Sequence, residues 1–205
     1  MLFSAVANAT GERLTISIVT YGGKSDDFRL FRSRLNDWVL TLSDEIPSQA
    51  GGEYLRHLRT LDRTTEFSSA VEIDDYWRRS DALQIMYGEI AIESAGTYFV
   101  SSHVYLGDLQ GSLPHKTILI ELPFDVHNYA DTYDFHTAVF LYSLAMDAEH
   151  SNPQQTPLIA TMLKIARDKV EDIKRRKSLG SKAESSLAEL EMAIDDAAKH
   201  LSMRQ

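Results

Sequence analysis

The strongest β pattern of the chain lies at residues 82–106, which read ALQIMYGEIAIESAGTYFVSSHVYL. Two strand-like runs, Ala82 to Ile92 and Thr97 to Leu106, are separated by Glu93-Ser94-Ala95-Gly96. This connection has the length and the glycine of a hairpin loop. The stretch therefore predicts an antiparallel hairpin in the middle of the chain.

A strand and a long helix are predicted upstream of this hairpin. Leu14 to Tyr21 alternates apolar and polar residues and stops at a Gly-Gly pair, which is typical of a strand followed by a turn. From Asp26 to Ile46 apolar residues recur at steps of three and four, which predicts one apolar stripe on an amphipathic helix with Ser25 as its N-cap. The stripe consists of Phe28, Phe31, Leu35, Trp38, Val39 and Leu42.

Shorter elements surround the hairpin. Tyr54 to Leu61 fits either a short strand or one helical turn, and we favour the strand. Thr64 to Ser80 predicts a short helix. After the hairpin, Thr117 to Leu122 predicts a further strand that Pro123 closes, because proline cannot donate to a β-ladder.

Beyond residue 130 the hydrophobic period changes from two to about 3.6 residues, which predicts helices. Three helices are expected, at Thr132–Glu149, Pro157–Arg176 and Ser181–Met203. The element order predicts an α/β (α+β) fold, a mixed sheet of about five strands with two packed helices, followed by a C-terminal three-helix segment. We divide the chain into an α/β domain at 1–125 and a helical region at 126–205, which is either separate or packed on the same core.

Composition limits the possible function. The 205 residues carry 21 basic and 30 acidic side chains, hence a net charge of −9. Residues 1–150 hold 11 basic and 22 acidic side chains, and this acidic body disfavours binding to nucleic acid, which needs cations on the phosphates. The absence of cysteine excludes disulfides, thiol nucleophiles, Cys-ligated zinc and a lipidated Cys anchor. No apolar run approaches the roughly 20 residues of a spanning helix.

One basic run, Lys174-Arg175-Arg176-Lys177, lies beyond the acidic residues 1–150. Cations complement the dipole at a helix C-terminus, and Ser178-Leu179-Gly180 would end the helix there. We favour that interpretation over a patch for nucleic acid or acidic lipid.

The N-terminus makes a poor signal peptide, since Met1 to Thr10 lacks a basic segment and Glu12-Arg13 follows it. We therefore expect a cytoplasmic protein. A periplasmic location is expected instead if the chain is the mature fragment of an exported protein.

The turn Gly22-Gly23-Lys24-Ser25 is a candidate phosphate-binding loop, because it follows a strand and opens a helix. The Walker A pattern needs a further glycine five positions before Gly23, where this chain has Ile18. Two aspartates directly after Ser25 would also repel a polyphosphate. A tight connection capped by Ser25 is the alternative that we favour.

Four groups that could bind a metal or exchange protons lie within ten residues: His127, Asp131, Asp134 and His136. On a helix that begins near Thr132, Asp131 would be the N-cap and Asp134 would complement the helix dipole. We favour that structural explanation and predict no cofactor and no metal.

Trp77, Arg78 and Arg79 form a candidate protein interface, because Trp and Arg are frequent hot-spot residues. The alternative, which we favour, is that Trp77 docks its helix on the sheet.

A resemblance covers about residues 14–109. Its carriers are the strand Thr15 to Tyr21, the long helix after it, the segment Tyr76 to Gly88, and the hairpin partners Tyr98-Phe99-Val100 and Val104-Tyr105-Leu106. This arrangement resembles the small α/β domain of the TolB N-terminus and of CsgG and FlgO-like envelope proteins. The resemblance implies a binding and assembly module, and it carries over no catalytic residue. The last three helices lie outside it, and their spacing is similar to tetratricopeptide-type helices with an incomplete consensus.

These observations lead us to expect a non-enzymatic interaction, sensor or assembly module that binds a protein partner or forms a homo-oligomer. The first alternative is a nucleotide- or phosphate-binding protein that uses the Gly22 to Ser25 turn. The second alternative is an assembly protein associated with the bacterial envelope, as the resemblance implies.

Overall fold

The computed structural model describes the backbone of part of the chain, namely residues 15–19, 25–45, 59–63, 67, 69–79, 82–94, 97–106, 116–125, 129–151, 156–176 and 181–203. Side chains are described at residues 16–18, 29–42, 67, 69, 71–79, 84–90, 129–146, 148–149, 156–176 and 184–203.

Backbone ladders join the strands in the order β2-β1-β3-β4-β5. Strand β1 pairs in parallel with β2 on one side and β3 on the other, and the pairs β3-β4 and β4-β5 are antiparallel. Described strand side chains belong to β1 and β3 alone, and these two strands carry the buried side chains Ile16, Ile18, Ile85 and Met86. The strands are β1 (Thr15–Val19), β2 (Arg59–Arg63), β3 (Ala82–Ser94), β4 (Thr97–Leu106) and β5 (Lys116–Asp125).

Helices account for most of the residues that the structure describes. The long upstream helix and the three C-terminal helices lie where the 3.6-residue period predicts them. The helix predicted over Thr64 to Ser80 is shorter and begins after Ser69, whose hydroxyl oxygen accepts the backbone N–H of Glu72 at 3.3 Å as an N-cap. The helices are α1 (Ser25–Glu45), α2 (Ala70–Arg79), α3 (Ala130–Ser151), α4 (Thr156–Arg176) and α5 (Ser181–Ser202).

Helix α3 lies at the centre of the fold. Every side chain from Asp134 to Tyr142 is buried, so the helix has no single apolar stripe. It contacts α1, α4, α5 and β5. A helix buried on all sides is a core element, in contrast to α4 and α5, which each bury one stripe and expose the opposite face.

One buried and one partly buried hydrogen bond tie α3 to elements far away in sequence. The indole Nε1 of Trp38 in α1 donates to the Thr137 hydroxyl at 2.9 Å. The amide Nε2 of Gln84 in β3 donates to the Ser143 hydroxyl at 2.7 Å. Because a buried donor without a partner is costly, these bonds fix the position of α3 relative to α1 and β3.

The predicted fold class is a mixed sheet of about five strands with a three-helix segment added at its C-terminal end. The side chains that the structure describes correct this prediction. Of the residues with described side chains, 85% are helical, and they occupy five helices and only one two-stranded parallel sheet, β1-β3. Most of the buried apolar residues lie on helices. The core is therefore mainly helical, and α3 to α5 build it instead of being attached to a sheet domain. Local alternation of apolar residues identifies strands but does not show where the chain buries most of its apolar area.

Two local boundaries also differ from the prediction. Pro123 does not close its strand, since β5 continues to Asp125 with Pro123 opposite Phe99. In the described ladders β5 is an edge strand, and an edge strand tolerates a residue without an N–H because one of its sides is unpaired. The strand predicted from Tyr54 to Leu61 is described from Arg59 to Arg63, and residues 54–58 lie outside the described part.

One hydrophobic cluster includes residues from both predicted regions. Ile16 and Trp38 precede residue 125, Phe135 and Ile194 follow it, and all four belong to the same buried cluster. The division at residue 125 stays a prediction. Within the described ranges, no helix combines the length and the apolar character needed to cross a bilayer.

Candidate interaction surface

Helices α4 and α5 form an antiparallel hairpin. Arg167 pairs with Asp195 at 3.2 Å, and Lys174 pairs with Glu191 at 2.5 Å. Residue numbers thus rise along α4 as they fall along α5. The two pairs join the helices by charge on the solvent side of their apolar contact.

A groove of about 260 Å³ lies between these helices, toward the start of α4 and the end of α5. Its floor is apolar, since Leu163, Ile194 and Leu201 are 5% exposed or less. The two exposed residues Ala160 and Ala198 line it with methyl groups, which are too short to cover the floor. The remaining lining residues are Lys164, Arg167, Asp195 and Ser202.

The rim of the groove is charged on both sides. On the α4 side, Lys164 is exposed and makes no ion pair with any described residue, while Arg167 is held by Asp195. On the α5 side, the charged lining residue is Asp195. Met192 and Met203 are 65% and 64% exposed on α5 but do not line the groove.

Asp131 and Asp134, two of the four candidate metal or acid-base groups, bind cations of α4. Lys169 donates to Asp134 at 2.6 Å, and Arg176 donates to both Asp131 and Asp134. Burial opposes the charge of Arg176, but its hydrogen bonds to Asp134 and Asp131 outweigh this and raise its pKa. The two carboxylates therefore hold α3 against α4. Helix α3 begins at Ala130, so Asp131 is within the first turn and is not the predicted N-cap.

His136 lies apart from these carboxylates, in the core among aromatic rings. Its ring centroid is 5.4 Å from that of Trp38 and 6.5 Å from that of Phe31. Its Nδ1 donates to the Thr132 carbonyl at 2.7 Å, and its Nε2 has no hydrogen-bond partner among the described residues. Burial lowers the pKa of His136 to about 4, and the bond to Thr132 opposes this only partly. Neutral imidazole is thus the stable form in the folded protein.

These side chains do not converge on a common point. Among the described residues, no group of three His, Asp or Glu side chains has the geometry to hold a metal ion. The fourth candidate, His127, lies outside the described residues.

The Gly22 to Ser25 turn falls largely outside the described structure. Gly22, Gly23 and Lys24 are not described, and Ser25 is described only as the first residue of α1. Phosphate binding at this turn stays a prediction.

The indole of Trp77 packs inside the fold. It is 6% exposed and lies in a small cluster with Ile73 and Ile85, which joins α2 to β3. Arg78 pairs with Asp74 at 3.1 Å, and Arg79 is exposed. Two cations of the candidate interface are therefore at the surface while its aromatic anchor is buried, as expected for a Trp that docks its helix on the sheet.

The sequence patterns do not predict the groove, and the basic run predicts only the end of α4, one of the two helices that form it. This run does end α4 at Arg176, as predicted. Its cations, however, bond in different directions, Arg176 to α3 and Lys174 to α5. The partners are far away in sequence, so local spacing could not reveal the three-helix arrangement.

No family model, no curated protein and no solved structure matches the chain. The resemblance to the TolB, CsgG and FlgO-like domain therefore stays a prediction.

Proposed function

We propose that this chain is a non-enzymatic protein-interaction module that binds a protein partner through the groove between α4 and α5. The observation that carries the proposal is an open apolar groove, with a charged rim, on a pair of helices that ion pairs hold together.

The size of the groove favours side chains of a protein over a small metabolite. Small-molecule sites typically enclose about 300–1,000 Å³. A groove of about 260 Å³ that is open to solvent has room for a few apolar side chains of a neighbouring surface. The charged rim would then fix the orientation of that surface.

The polar groups of the groove are suited to binding. Arg167 and Asp195 form an ion pair at 3.2 Å, and Lys164 offers an ammonium group that can meet a carboxylate. An apolar floor with charges confined to its rim is the usual anatomy of a protein interface.

Site-specific photo-crosslinking tests the proposal. In cells, one version of the full chain carries a photoreactive residue in place of Ser202, which lines the groove. The control chain carries the same residue in place of the exposed Ala130 in α3. We expect a discrete protein adduct from position 202 and not from position 130. An adduct pattern that is the same at both positions, or no adduct at position 202, would contradict the proposal.

A further inference from the structure

We draw no further inference here: the strongest candidate, the apolar groove between α4 and α5, belongs to the surface already described, and nothing in the part of the chain that the structure describes shows what covers it.

Discussion

His136 of α3 lies in the core against α1, with Nδ1 bonded to the Thr132 carbonyl and with no partner for Nε2 in the described part of the chain. Protonation would place a positive charge among Phe31, Trp38 and the α3 backbone. Arg34 pairs with Asp37 and lies over the ring of Tyr129, and Asp134 bonds to α4. Among the described residues, none forms an ion pair with His136 that would compensate an imidazolium.

This arrangement predicts that the free energy of unfolding falls as the pH is lowered. The pKa of His136 is about 4 in the folded chain against an ordinary value of 6.5. The unfolded chain therefore takes up the proton first, and stability present above pH 6.5 is lost as the pH falls toward 4. The full loss is about 3 kcal/mol, since one pH unit corresponds to about 1.4 kcal/mol.

Urea unfolding at several pH values between 7 and 4 measures this loss. His136→Phe keeps an aromatic ring in the core and removes the titrating group. Between pH 7 and pH 4, the free energy of unfolding of this variant should therefore fall by about 3 kcal/mol less than that of the unmodified chain. Equal slopes for His136→Phe and the unmodified chain would show that the ring is not buried as described.

Asp134 is the second residue whose surroundings allow a quantitative prediction. Its side chain is 9% exposed and bonds to Lys169 and Arg176, which are 22% and 34% exposed. Asp134→Asn would leave Lys169 facing a neutral amide and Arg176 with Asp131 as its remaining carboxylate, and we expect a loss of about 2 kcal/mol. Asp172→Asn, which removes the carboxylate of an exposed pair with Arg175, should cost less than about 1 kcal/mol. Urea unfolding of both variants at pH 7 compares the two costs, and equal costs would contradict a structural role for Asp134.

At the scale of elements, the hydrogen bonds of α3 make it the link between α1 and β3. Thr137→Val conserves shape and removes the acceptor of the Trp38 indole N–H, which would remain buried without a partner. We expect a loss of about 1–3 kcal/mol in chemical unfolding. Thr161→Val is the matched control, because within the described ranges the Thr161 hydroxyl donates to the Pro157 carbonyl of its own helix in an exposed hydrogen bond. Its cost should stay within about 0.5 kcal/mol, and a similar cost for both variants would contradict the link.

The elements show which parts of the fold local patterns can predict. The stripes of α1, α4 and α5 are visible in the sequence because each helix has one buried and one exposed face. The central position of α3 is not, since a helix buried on all sides has no stripe from which its neighbours can be inferred. The same holds for the candidate metal or acid-base groups, whose partners on other helices are not visible in local patterns. Asp131 and Asp134 could be selected as acidic neighbours, but their partner Arg176 is more than 40 residues away.

The groove shows most directly what local sequence patterns cannot predict. Leu163, Ile194 and Leu201 are buried apolar residues on α4 and α5, and in the sequence nothing distinguishes them from the other apolar residues of these helices. The opening above them depends on two alanines from different helices, Ala160 and Ala198. No pattern within one helix indicates which residue of another helix will be opposite it. The interaction surface could therefore be recognised only from the packed hairpin.

At the scale of the whole molecule, the buried cluster predicts that residues 1–125 do not fold alone. Ile16, Trp38 and Met86 share one cluster with residues of α3, α4 and α5, so removal of 126–205 would expose their apolar surface. The Trp38 indole and the Gln84 amide would also lose their partners. We expect the fragment to lack a cooperative melting transition in circular dichroism, whereas the full chain unfolds in one step. A fragment that melts cooperatively and gives dispersed amide resonances would instead support an independent domain ending near residue 125.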